Sequence, residues 1–419
     1  MMNAQHYIKI VIFVFLLVPG ISLHAQNMLE SYLQEAANHN PELKSKFSEY
    51  MAALEKVPQV GTLPDPTIAF GYFILPVETR VGPQRFRISA SQMFPWFGTM
   101  GARKDVAAEV AKSKYELFEE AKSSLYFTIK STWYTLYFTG KAIDITLHNI
   151  RLLQTFRELS LIKVRSGLAS SVDVLRVDME IADLENQLLL MKDNLTTQQI
   201  TFNNLLNVED QREVIVPDTL SEAGFNLSFD AMLDSIKSGN HQLLELEFME
   251  TSYLEQERAA KKMGAPGFKI GVDYIVVGKS SNPALSASES GRDAILFPTL
   301  GITLPLYRKK YKAMVREAVL MQEATAYKKV NKVNVLETTF ANVQKEFKDA
   351  ERRIPFYRKQ YERAEKTMNI LETDYATSGR NFEEILRVER QLLNYRLELE
   401  KARADKRAAI AFVDYLMGK

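Results

Sequence analysis

The side chains that could do chemistry in this chain are arranged against catalysis. Its five histidines (His6, His24, His39, His148 and His241) are scattered, its fifteen methionines are dispersed and cysteine is absent. Ligation of copper or silver by thioethers needs donors clustered at short spacing. Without cysteine there are no disulfides, thiol nucleophiles or cysteine metal sites. No phosphate-binding loop is present, so any energy must come from a partner. What remains is two short turns rich in small and charged residues. The first, Val164–Leu175, reads VRSGLASSVDVL. Gly167 supplies a left-handed backbone for a reversal. Ser170 or Ser171 can cap the next helix, and Asp173 in its first turn suits the helix dipole. The second, Tyr375–Leu386, reads YATSGRNFEEIL. Its Gly379 is displaced by one, so Ser378 stands where Gly167 stands. Glu384 and Arg387 are spaced for an exposed ion pair on one helix face.

These turns belong to a duplication. Asn40 and Leu43 recur as Asn240 and Leu243, Pro66 as Pro266, Pro95 as Pro305, and 164–176 as 375–387. A repeat about 200 residues long with one order of elements must be read before any local motif. Each unit runs helix, strand, strand, long helix, turn, helix. The first repeat, 26–220, has an opening helix over 28–55, strands at about 67–75 and 85–94, a long helix over 99–163, a turn at 164–172 and a return helix over 172–206. The second, 221–419, has a helix over 228–262, strands at about 267–277 and 295–304, a long helix over 308–376 with Pro355 as a kink point, a turn at 375–382 and a helix over 382–417. Each long helix would reach roughly 100 Å at 1.5 Å per residue. In each half the two shorter helices, laid end to end, match the long one to within about two residues. Such lengths imply coiled-coil-like packing.

The four strands alternate. Ile68, Phe70, Tyr72 and Ile74 oppose Thr67, Ala69 and Gly71; Phe86, Ile88 and Ala90 oppose Arg87, Ser89 and Ser91. Phe268, Ile270, Val272, Tyr274 and Val276 oppose Lys269, Gly271 and Asp273; Leu296, Leu300, Ile302 and Leu304 oppose Thr299, Gly301 and Thr303. Period-2 alternation over about 9–10 residues fits a tilted membrane strand. Phe94, Trp96, Phe97, Phe297 and Tyr307 gather at the ends, as an interfacial girdle requires. Four strands cannot close a barrel, and open edges cannot sit in hydrocarbon. Several chains must share one wall. Two polar loops, Pro76–Gln84 and the longer Gly278–Asp293, are expected to face outward.

The 53 basic and 52 acidic side chains leave a net charge of +1, which argues against a nucleic-acid partner. Residues 1–25 resemble an export signal: His6 and Lys9 precede the apolar run Ile10–Val18, then Pro19-Gly20 and a cleavage point after Ala25. Long charged helices alone would fit a periplasmic coiled-coil scaffold or adaptor without channel activity. The matched helix lengths and the strands favour a tube.

On the duplication, the NPEL opening Asn40–Leu43, the strand-to-helix prolines and the two turns, the chain resembles the TolC-type outer-membrane factors, exit ducts of tripartite efflux and type I secretion systems. The resemblance implies an α+β membrane protein. Its protomer would be internally duplicated, with long coiled-coil-like helices and four strands, and three copies would form a twelve-stranded β-barrel with a helical tunnel narrowed at its periplasmic tip. It implies a homotrimer in the outer membrane, a periplasmic adaptor and an inner-membrane pump of RND or ABC type, with no cofactor and no enzymatic activity. It assigns a periplasmic gate to Tyr375, Arg380, Asp173, Glu384 and Arg387. In the family the tyrosine and arginine tie the inner helix pair to the aspartate; Glu384 matches one acidic ring, but Arg387 stands where a second aspartate would be. It assigns adaptor docking to Gly167, Ser170, Asp173, Leu175, Ser378, Gly379, Asn381 and Leu386.

Overall fold

The computed structural model describes residues 20–419 except 210, 223, 285, 379 and 380. The export segment expected over 1–25 lies largely outside them. The elements run α1 (Gly20–His39), α2 (Pro41–Gly61), β1 (Thr67–Thr79), β2 (Gly82–Phe94), α3 (Thr99–Arg165), α4 (Ser171–Leu206), α5 (Phe229–Gly239), α6 (His241–Met263), β3 (Gly267–Val277), β4 (Ala294–Thr303), α7 (Arg308–Ser378) and α8 (Phe382–Leu416). α3 and α7 have 67 and 71 residues, and α7 runs through Pro355 as one helix. Among the described residues no helix is long and apolar enough to cross a membrane. The chain divides into two compact units, 47–117 with 242–332, and the remainder.

Each helix expected to open a repeat is in fact two, and the break has a physical cause. Asn40 stops α1, its side-chain oxygen accepts the Leu43 amide at 3.1 Å, and Pro41 follows as the first residue of α2. Its Nδ2 donates to the Leu205 carbonyl at 3.1 Å, at the end of α4. Asn240 repeats this between α5 and α6, donating to the Leu416 carbonyl at 3.0 Å, at the end of α8. Both asparagines are buried. Each satisfies a carbonyl that the end of a helix leaves without an intrahelical partner. Around the first of these joints packs a core of Tyr32, Leu33, Trp133, Tyr137, Phe202 and Leu206. The segment after α4 is strapped across it, with the Trp133 indole donating to the Ile215 carbonyl at 3.0 Å.

The other unit holds one antiparallel sheet in the order β1-β2-β3-β4, so β1 and β4 are its edges. β1 and β2 are longer than their alternation suggested, while β3 and β4 keep their expected lengths. β1 and β2 meet at a tight turn and run through most of the expected loop Pro76–Gln84. Register slips between Tyr72 and Val77, beside Pro76, and again in β4 between Thr299 and Leu296, beside Pro298. Proline cannot donate to a ladder, and it is confined to edge strands and bulges. The second slip corrects one face: Leu296 pairs with Asp273 and so turns to the polar side, while Ile295 pairs with Tyr274.

Candidate membrane wall and gate

The sheet separates its two faces in most rows; Gln92, in the row of Ile270 and Leu300, and Ile275, opposite Arg87, are exceptions. One row carries Phe70, Ile88, Tyr274 and Ile295 across all four strands. The apolar face is open to the surroundings at the edges: Phe70 is 70% exposed, Leu300 75% and Ile302 65%. Exposed apolar area of this extent marks an interaction or membrane surface. Trp96, Phe97 and Tyr307 stand exposed where strands meet helices, and Phe297 toward the other end of β4. The opposite face carries a polar cluster. Asp273 accepts from Arg87 at 2.6 Å and from Ser89, its cross-strand partner, at 2.5 Å. Gly71 faces Arg87, and Gly271 faces both Ser91 and Thr299, so this face is thin and polar.

The two turns lie in the helical unit. At the first, Gly167 takes φ +75°, and the capping hydroxyl is that of Ser170, which accepts the Val172 amide at 3.2 Å. Asp173 lies 3.8 Å from Arg176, which also pairs with Glu383 across the turns at 3.1 Å. Leu168 and Leu175 project outward, 60% and 62% exposed. At the second turn Gly379 and Arg380 lie outside the described residues. Among the described residues of this turn Asn381 is left-handed, with φ +67°; its side chain makes no cap and donates to Asp374 at 2.8 Å. Leu386, expected at a docking surface, is 2% exposed and packs with Tyr375, Phe382 and Ile385. Its place is in the core.

Tyr375 is 1% exposed, its ring 4.9 Å from that of Phe382. Its hydroxyl meets Ser160 Oγ at 3.2 Å. Burial raises its pKa above the ordinary value; the Ser160 bond opposes this and the nearby Asp173 carboxylate adds to it. Lys163 Nζ sits 4.9 Å from the Tyr375 ring centroid and donates to the Ala376 carbonyl at 3.1 Å. Thus the C-terminal end of α3 grips the last turn of α7 through Ser160 and Lys163, neither of which sequence reasoning singled out. A lysine in the last turn of a helix was the available signal, since its charge favours that end. Glu384 and Arg387 pair with each other along α8, and Arg390 pairs with Glu180 of α4 at 3.1 Å. Further along, Glu389 is buried, accepts from Asn149 at 2.5 Å, and leaves its other oxygen without a partner among the described residues. Burial pushes its carboxyl up to about 7, with the charge of Glu372 adding and the Asn149 bond opposing.

No family model matches this sequence. Toxin and drug export protein A of Aggregatibacter actinomycetemcomitans is 22% identical over 61% of this chain, and the match spans 57% of that protein's length. Among solved structures, VceC of Vibrio cholerae superposes with a TM-score of 0.77 at 15% identity, covering 94% of this chain and 97% of that one. The Neisseria gonorrhoeae MtrE channel, in its open state, superposes at 0.74 and 14% identity, covering 93% and 89%. The long helices and four-stranded antiparallel sheet are therefore the fold of the TolC-type outer-membrane channels.

Proposed function

We propose that this chain is one subunit of a homotrimeric outer-membrane channel, the passive exit duct of a tripartite efflux or type I secretion system. The observation that carries the reading is a four-stranded sheet with both edges unpaired, an outward apolar face and a polar face centred on Arg87 and Asp273. Unpaired strand edges cost several kcal/mol per backbone group in hydrocarbon, and single-chain barrels begin at about eight strands. Three copies, each β1 joining a neighbour's β4, give a closed wall wide enough for a lumen. The apolar face meets lipid, and the helices stand in the periplasm. The likeness to a toxin and drug export protein supports export over a scaffold.

A periplasmic adaptor then docks on the turns. The exposed Leu175, with Gly167, Ser170 and Asp173, forms its footing at the first, and Ser378, Gly379 and Asn381 at the second. An inner-membrane pump of RND or ABC type supplies the energy. The gate comprises Tyr375, Asp173, Arg380, Glu384 and Arg387. The Glu384–Arg387 pair within one protomer supports a nearly neutral ring at that level. Single-channel recording tests this: Tyr375→Phe, which removes the Ser160 bond, and Arg380→Ala should each raise conductance. Unchanged conductance in both removes the gate assignment while leaving the pore. A protein that fractionates as soluble would favour the periplasmic scaffold.

A further inference from the structure

The two longest helices begin with the unfavourable sign of charge. A helix N-terminus is the positive end of its dipole, so acidic side chains favour the first turn. Neither α3 nor α7 has one there. α7 opens with Arg308-Lys309-Lys310, and α3 carries Arg103 and Lys104 soon after its start. α6 brings a further cation to the same place. A Cβ at Gly98, which has φ +73°, would come within 2.7 Å of Lys262 Nζ, so glycine makes room for that ammonium directly before α3. Among the described residues Lys262 donates only to the Phe97 carbonyl, at 3.5 Å. The acids nearest to it in sequence are engaged elsewhere, Glu255 by Arg258 and Glu257 by Lys261, both at 2.5 Å.

Arg103, Lys262 and Lys310 line one cleft of about 260 Å³, together with Thr99 and the rings of Trp96 and Tyr311. Thr99 is the first residue of α3. It is 2% exposed, and its hydroxyl has no hydrogen-bond partner among the described residues. A buried polar atom without a partner calls for an explanation, and an unrecorded ligand is one. Met93, Gly267 and Thr303 also line the cleft, which places it on the Lys269–Asp273 side of the sheet. Helix N-termini flanked by cations recognise phosphate-like groups through backbone amides, dipole and charge together.

We propose that this cleft binds an oxyanion of the phosphate class, held by Arg103, Lys262 and Lys310 at the start of α3, with the Thr99 hydroxyl as a further donor. The inference goes beyond the channel reading and does not need the sheet to close. The anion is either a free solute or the headgroup of an anionic phospholipid, and calorimetry on the detergent-solubilised chain separates them. One arm titrates inorganic phosphate at low ionic strength; the other adds micelles containing phosphatidylglycerol. Saturable binding is expected in at least one arm. Lys262→Gln with Lys310→Gln should weaken it at least about ten-fold, and Thr99→Val about three-fold, with helical circular dichroism unchanged. Should the double variant fold poorly, Arg103→Gln alone should weaken binding by about five-fold or more. Binding of phosphate assigns a soluble anion; binding confined to the phospholipid arm assigns a headgroup. No binding in either arm, or binding that these variants leave unchanged, overturns the proposal.

Discussion

The two helix-reversing turns descend from one duplicated segment, yet they have parted in what they bury. Leu175 and Leu386 occupy equivalent positions; the first is 62% exposed and the second 2%. The first turn is made by a glycine and capped by a serine. At the second, Asn381 is left-handed, and its side chain reaches back to Asp374 instead of capping. Position in a repeat therefore fixes the reversal but not the environment. The second turn is a packed joint around Tyr375, whereas the first keeps an apolar surface turned outward, where the proposed adaptor would dock.

Truncating the paired leucines should break this equivalence most plainly. Leu386→Ala should cost about 2–5 kcal/mol, as buried leucines do, whereas Leu175→Ala should stay within about 0.5 kcal/mol, as exposed sites do. Chemical denaturation followed by helical circular dichroism reads both, and equal effects would erase the distinction. Leu175→Ala should instead weaken adaptor binding.

A pH effect of similar size should come from Glu389 on the packed side. Its folded-state carboxyl titrates near 7 against about 4.5 when unfolded, so the folded protein holds the extra proton between those values. The stability it contributes is complete below about pH 4.5 and is lost as pH rises through about 7, on the order of 3 kcal/mol in all. Glu389→Gln keeps the Asn149 contact and should flatten that loss between pH 5 and 8. An unaltered profile in the variant would place the titration elsewhere.

The smallest difference lies in the turn residues themselves. Gly167→Ala meets no atom within 4 Å and is disfavoured only by its positive φ, so it should cost about 1–2 kcal/mol. Asn381→Gly relieves the same strain but loses the Asp374 bond, and should move stability by less than about 1 kcal/mol. Thermal unfolding of the two variants side by side separates these signs.

The particular residues explain what could be read in advance. Alternation placed most sheet residues on the faces they occupy, because a period of two leaves no third choice. It misplaced Leu296, since a bulge beside Pro298 shifts the parity. Asn40 and Asn240 were visible as repeat markers, but their role was not: each donates to a carbonyl more than 160 positions away in sequence. Ser160, Lys163 and Glu389 matter through partners on other helices, and no spacing along one helix announces such contacts. The basic starts of α3 and α7 were legible as charge, but only the cleft, Gly98 and the unpartnered Thr99 gave that charge a purpose.

The central claim is that one chain supplies only part of a closed wall. Sedimentation of the mature protein extracted from membranes in mild detergent tests it most directly, with the bound detergent accounted for. Three protomers per particle are predicted, together with resistance of the β1 and β4 amides to hydrogen exchange because each is paired with a neighbour. A stable monomer that needs no detergent, with those edge amides exchanging freely, would contradict the account.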